Sequence, residues 1–204
     1  MREWKLLTGA ASLVLLLAAC AQAPNEKLAA AEKAVDEARA AGAPAYAPED
    51  YQKLESMLAN AKKEIAEQNA KFALTRDYEK AEQLLASAQG EAPKVTETAT
   101  KKKEEAKVAA LEAQKAAQES VTKTQALVAK APVGKDRAAV EAIKADAQGL
   151  ASSLAEVQSA LDGGDYLTAQ VKAKSIQEKS EAVAKEVEAA LAKVGGAKGK
   201  KPGK

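Results

Sequence analysis

Two stretches of this 204-residue chain carry apolar residues at alternating steps of three and four, and this spacing most restricts the fold. Such heptad seams belong to helices whose apolar stripes pack against each other. Ala, Glu, Lys, Gln and Leu, all strong helix formers, dominate the composition. The pattern predicts an all-α fold of elongated antiparallel helical hairpins in a coiled-coil-like bundle. The first seam has one polar break, at Gln68, and the seams are Tyr51, Leu54, Leu58, Ala61, Ile65, Gln68 and Phe72, and then Val140, Ile143, Ala147, Leu150, Leu154, Val157 and Leu161.

Each seam is followed by an Asp-Tyr pair, Asp77-Tyr78 in the first and Asp165-Tyr166 in the second. The segments that begin there, DYEKAEQLLASAQ and DYLTAQVKAKSIQ, agree at five of thirteen positions. We therefore expect an internal duplication of one αα-hairpin, in which each hairpin is a thin arm. We expect each aspartate to cap the second helix and each tyrosine to fill the corner against the end of the first.

Breaks at Gly and Pro divide the chain further. The linker APAYAP, before the first seam, is expected to be extended. Pro93 interrupts the helical pattern after the first hairpin, and the sequence leaves open whether it breaks the helix or only kinks it. The predicted segments are a signal (1–19), an N-terminal helix with linker (20–47), the first hairpin (48–92), a connecting long helix (93–133), the second hairpin (134–194) and a basic disordered tail (195–204).

Composition argues against several classes of function. The chain has no histidine and one cysteine, so it lacks the commonest general base and any cysteine-based metal site. We expect no catalytic residues, no bound metal and no cofactor. Charge is nearly balanced, with 31 basic and 29 acidic residues, and aromatic residues are only 3%. We therefore expect no binding of nucleic acid.

The N-terminus has the pattern of an export signal. Arg2 and Lys5 provide a positive start, and the apolar run Leu6–Ala19 follows. This run is shorter than the approximately 20 residues needed to span a bilayer. The chain becomes polar directly after Cys20, its only cysteine.

The residues Leu17, Ala18, Ala19 and Cys20 resemble a bacterial lipobox. The resemblance implies that the Cys20 thiol receives diacylglycerol, that a signal peptidase cuts before Cys20, and that the new amino group is acylated. The membrane would then hold the protein through acylated Cys20. Ala21 follows the cysteine where aspartate would resemble an inner-membrane sorting signal, so the expected location is the outer membrane, facing the periplasm.

Beyond the signal, the chain is similar to Ala-rich helical lipoproteins of Gram-negative envelopes, most clearly from Cys20 to Ala88, through APEDYQKLESML and RDYEKAEQLL. That group has no established activity. We expect a non-enzymatic spacer, scaffold or adaptor.

Two alternative functions remain open. One is a peptide- or protein-binding module, because the paired helices resemble tetratricopeptide units, although the period of 88 residues far exceeds 34. The other is a structural lipoprotein associated with peptidoglycan, because the terminal Lys204 gives a distant similarity to murein lipoprotein. The sequence leaves the partner and the oligomeric state open.

Overall fold

The computed structural model describes residues 22–130 and 137–197, and nearly all of them are helical. No β-strand occurs in these two ranges, and the predicted all-α helical bundle is confirmed. The same ranges contain no helix that is both long and apolar enough to cross a bilayer. The helices are α1 Asn25–Ala40, α2 Ala43–Tyr46, α3 Pro48–Asn69, α4 Glu79–Val128, α5 Arg137–Asp162 and α6 Tyr166–Ala197.

The chain forms two compact units, and the division falls inside α4. Within the described residues, unit 1 contains 22–38 and Glu49–Lys94, and unit 2 contains Arg39–Pro48, 95–130 and 137–197. The predicted connecting helix, 93–133, is therefore not a separate segment. Most of α4 beyond Lys94 is a packed member of unit 2.

Unit 1 is a bundle of α1, α3 and the first part of α4. A direct ion pair joins each pair of these helices: Lys62 with Glu32, Lys80 with Glu64, and Lys27 with Glu82. The expectation of a thin two-helix arm is therefore wrong for this hairpin, because α1 packs against it as a third helix. The buried apolar residues of unit 1 are Ala31, Val35, Ala38, Tyr51, Leu54, Ala61, Ile65, Tyr78, Ala81, Leu85, Ala88 and Ala92.

Small side chains make up much of this core, which explains the need for a third helix. Ala31, Ala61 and Ala81 are fully buried but contribute little apolar area each. Leu54 and Leu85 are almost completely enclosed, and burial of a leucine contributes about 1.5–3 kcal/mol. With a third helix, each helix buries apolar surface against two neighbouring helices instead of one.

The first seam ends earlier than its spacing predicts. Phe72, its last predicted position, is 72% exposed and lies beyond the end of α3 at Asn69. Nine residues, 70–78, connect α3 to α4, whereas three residues, 163–165, connect α5 to α6. The two connections therefore differ in length, although the sequences that follow them match. The heptad step continues through the sequence of the loop, but the helix does not.

The linker before α3 is not extended. Gly42 adopts φ 91, a left-handed conformation that ends α1, and residues Ala43–Tyr46 then form the short helix α2. Ala43 and Tyr46 are buried in unit 2. A β-carbon at Gly42 would lie 3.1 Å from the Tyr46 ring, so glycine also permits this close approach. Burial of these apolar residues replaces the extended conformation that the Pro and Ala composition suggested.

Helix α4 runs through Pro93 without a break. Proline lacks the N–H that would bond the carbonyl four residues earlier, at Gln89, and its ring crowds that carbonyl. Ala92 and Val95 on either side are buried, whereas Pro93 is exposed. The helix continues because its apolar stripe remains packed before and after the proline.

Unit 2 packs the later part of α4 against α5 and α6. Its main core contains residues from all three helices: Ala110, Ala117, Val121, Leu150, Val157, Leu161, Ala169, Ala173 and Ile176. A smaller cluster of Val128, Ala147 and Val187 lies further along the bundle. The second hairpin, like the first, therefore has a third helix.

Along α6, Ala169, Ala173, Ile176, Ser180 and Val187 are buried, whereas Ala190 is exposed. Helix α6 also extends to Ala197, three residues into the segment predicted to be a disordered tail. The rest of that tail, 198–204, lies outside the described residues.

The proline within α4 gives a first testable prediction. Replacing Pro93 with alanine restores one helical hydrogen bond and removes the steric conflict, so we expect stability to rise by about 1–3 kcal/mol. Urea denaturation followed by circular dichroism measures the change. The neighbouring exposed variant Lys94→Ala, which loses only a surface ion pair with Glu91, should change stability by less than about 0.5 kcal/mol. A Pro93→Ala protein less stable than the wild type would contradict this explanation.

Candidate interaction surfaces

The predicted lipidation site lies just outside the described chain. Leu17, Ala18, Ala19 and Cys20 all precede Gln22, the first described residue. The folded chain therefore begins very close to the proposed attachment point, since α1 starts at Asn25.

At the first corner, Asp77 and Tyr78 contact both helices. The Asp77 carboxylate accepts a hydrogen bond of 2.9 Å from the Glu79 N–H, which caps α4. The Tyr78 hydroxyl donates to the Asn69 side-chain oxygen at 2.6 Å, at the end of α3. The Asp77 N–H donates to the Gln68 side chain at 3.0 Å. The two helix ends are therefore joined through side chains.

The loop that leads into this corner, residues 70–76, is hydrogen-bonded along its backbone and carries two exposed apolar side chains. The Arg76 guanidinium donates to the carbonyls of Asn69 and Lys71, at 2.9 and 3.1 Å. The Thr75 N–H and hydroxyl both donate to the Phe72 carbonyl. Phe72 is 72% exposed and Leu74 is 67% exposed. We call this segment the apolar loop.

The second corner has a different geometry. Gly164 has φ 74, and bonds from the Gly164 and Asp165 N–H groups to the Leu161 and Ala160 carbonyls form a Schellman motif. Asp165 accepts a bond of 3.1 Å from the Thr168 N–H and so caps α6. Bonds from the side chain and backbone of Thr168 lower the pKa of the Asp165 carboxyl.

Tyr46 closes this second corner, a role that sequence reasoning missed. Its hydroxyl donates to the Gly164 carbonyl at 3.4 Å. Burial raises the pKa of the Tyr46 hydroxyl. Tyr166 itself is half-buried against the core of unit 2. The tyrosine whose hydroxyl reaches the corner is thus supplied by α2, about 120 residues away in sequence.

Helices α4 and α6 enclose a shallow groove with a polar floor. Thr124 donates to the Ser180 carbonyl at 2.9 Å, and the two hydroxyls are also 2.9 Å apart in the buried interface. The groove above them has a volume of about 750 Å³. Acidic, basic and apolar side chains line it, among them Glu119, Lys123 and Leu127. We call this feature the α4–α6 groove.

One ion pair closes each hairpin. Lys80 Nζ lies 2.6 Å from Glu64 in unit 1, and Lys172 Nζ lies 2.6 Å from Glu156 in unit 2. The Glu64 side chain is only 10% exposed and also accepts a bond from Gln68, whereas Glu156 is 64% exposed. The Lys80 hydrogen bond, followed by the Gln68 bond, lowers the pKa of Glu64.

Four other large apolar side chains are exposed on the helices. They are Val108 and Leu111 on α4 and Leu167 and Val171 on α6. Across residues 22–130 and 137–197, no group of three or more His, Cys, Asp or Glu side chains could hold a metal ion.

Comparison of this chain with protein-family models, with curated proteins and with solved structures found no match.

The partly buried ion pair between Glu64 and Lys80 predicts a dependence of stability on pH. Because the folded state lowers the pKa of Glu64 below its ordinary value of 4.5, ionised Glu64 stabilises the fold above that value. This contribution is lost as the pH falls through the lowered pKa. We expect Glu64→Gln to flatten the acid side of the stability profile between about pH 5 and 3, measured by urea denaturation at each pH.

The matched control is Glu156→Gln in the second hairpin. Its ion pair has the same length but is exposed to solvent, which screens the interaction. We expect Glu156→Gln to flatten the acid side of the stability profile less than Glu64→Gln does. An acid profile that is identical for wild type and Glu64→Gln would contradict the role given to Glu64.

Proposed function

We propose that this protein is a non-enzymatic lipoprotein of the cell envelope, anchored through acylated Cys20 to the outer membrane, which acts as a periplasm-facing helical spacer or scaffold. The observation that carries the proposal is the apolar run that ends in Leu17-Ala18-Ala19-Cys20, with a folded helix beginning at Asn25. A lipid at Cys20 would then be joined to the bundle by a short stretch of chain. Such a connection holds a helical unit close to the membrane surface.

The packing of the described residues supports a structural role. In this part of the chain, every buried side-chain nitrogen or oxygen has a hydrogen-bond partner. The most buried carboxylate, Glu64, is held by Lys80 and Gln68. The polar groups at the corners, including Asp77 and Asp165, cap helices. These groups therefore stabilise the fold through contacts within the protein.

Acyl labelling with membrane fractionation tests the anchor. We expect the wild type to incorporate labelled fatty acid, to lose residues 1–19 and to float with outer membranes. Cys20→Ala should lose all three properties, because it removes the only thiol. Ser12→Ala, inside the apolar run but away from the motif, should behave as the wild type. A Cys20→Ala protein that is still processed and still floats would refute the proposal.

The α4–α6 groove favours a second candidate, a binding site for a peptide or protein segment. It combines apolar surface from Leu127 with charges of both signs from Glu119 and Lys123. Its volume of about 750 Å³ lies within the range of about 300–1,000 Å³ found for binding pockets, although it is open along one side. An extended or helical segment would suit an open groove better than a small molecule.

Mild crosslinking in cells distinguishes a protein-binding function of the groove from a spacer function. Ala116 and Ala184 line the groove, so Ala116→Arg should fill part of it and abolish a stoichiometric crosslinked partner. Ala155→Arg places the same side chain on an exposed position of α5 and should leave the partner in place. If both variants retain the same partner, the groove is not its binding site. If no partner is captured by the wild type, the spacer function is favoured.

A further inference from the structure

The apolar loop, residues 70–76, presents an unusual surface at one end of unit 1. Phe72 is the only phenylalanine in the chain, and it is 72% exposed. Leu74, two residues later, is 67% exposed. Single exposed apolar residues are common on proteins, but two large ones on one loop form a local apolar surface.

Part of the backbone of this loop is hydrogen-bonded by the loop's own side chains. Arg76 donates to the carbonyls of Asn69 and Lys71, and Thr75 donates to the carbonyl of Phe72. An unpaired carbonyl is costly in an apolar environment, so these bonds reduce the cost of bringing the loop into a lipid interface.

The loop lies at the same end of unit 1 as the start of α1. Lys27, in the first turn of α1, forms an ion pair with Glu82, in the first turn of α4. The Gln89 side chain also donates to the Lys27 carbonyl at 2.9 Å. Since α4 begins directly after residues 70–78, the first turn of α1 and the apolar loop lie at one end of the three-helix bundle.

Chain length places the proposed anchor at this end too. Asn25 follows Cys20 by five positions, and five residues span at most about 18 Å. A lipid on Cys20 would therefore hold the first turn of α1, and the end of the bundle to which it belongs, close to the bilayer surface.

We propose that the apolar loop is a second membrane contact, in which Phe72 and Leu74 insert into the interface of the bilayer that holds acylated Cys20. This inference rests on the proposed lipid anchor. Aromatic and leucine side chains are those that proteins commonly place at the boundary of headgroups and acyl chains. Neither side chain alone would hold the protein on a membrane, but the anchor makes their insertion an intramolecular step. Unit 1 would then contact the membrane with the end that carries the apolar loop.

Tryptophan fluorescence in vesicles tests this contact. Trp4 is the only tryptophan and precedes Cys20, so the processed chain contains none. Phe72→Trp and Leu74→Trp therefore introduce single probes at exposed positions, where the fold should tolerate them. The acylated variants are purified from membranes and reconstituted into phosphatidylcholine vesicles with or without brominated acyl chains. Gln52→Trp, an exposed position near the opposite end of α3, is the matched control.

We expect the emission of the Phe72→Trp and Leu74→Trp proteins to shift to the blue and to be quenched by brominated lipid, while the emission of the Gln52→Trp protein does neither. If the protein is acylated and floats with vesicles but neither loop probe is quenched, the loop contact is overturned and the anchor stands. Equal quenching of all three variants also overturns it. If the purified protein carries no acyl chain and does not float, the proposed function fails, and the loop contact fails with it.

Discussion

The fold depends on the packing of small side chains along heptad seams. Fully buried alanines such as Ala31, Ala81 and Ala169 allow helix backbones to approach closely, but each removes little apolar area from water. A hairpin of two such helices would bury too little to offset the entropy of ordering its chain. Each hairpin therefore packs against a further helix, α1 in unit 1 and the later part of α4 in unit 2.

This dependence explains why α4 is continuous. The helix supplies an apolar stripe to each unit, with Leu85 and Ala88 buried in unit 1 and Ala117 and Val121 buried in unit 2. Pro93 removes one hydrogen bond from the stretch between them, at a cost of about 3 kcal/mol in an ordinary helix interior. The packed residues on both sides, Ala92 and Val95, offset that cost.

The two corners show how one sequence pattern leads to two structures. In both, the aspartate of an Asp-Tyr pair caps the second helix. In the first corner Arg76 bonds the carbonyls of Asn69, the last residue of α3, and of Lys71, in a nine-residue connection that leaves Phe72 and Leu74 exposed. The second corner uses Gly164 in a tight Schellman turn, and the hydroxyl of Tyr46 completes it. The exposed side chains of the longer corner are the basis for the proposed membrane contact.

The helical class, most of the seam positions and the capping aspartates could be predicted from the sequence, because heptad spacing and capping are local properties of the chain. Leu54, Leu150 and Val157 are buried as that spacing predicts. Local sequence patterns could not predict whether Pro93 would break α4 or where Tyr46 would pack. They also could not predict that Phe72 would leave its seam. Each of these depends on contacts between residues far apart in the chain, such as the burial of Ala92 and Val95 around the proline and the bond of Tyr46 to Gly164. These three features follow from tertiary packing, since the free energy of such contacts outweighs local conformational preference when a third helix completes the core.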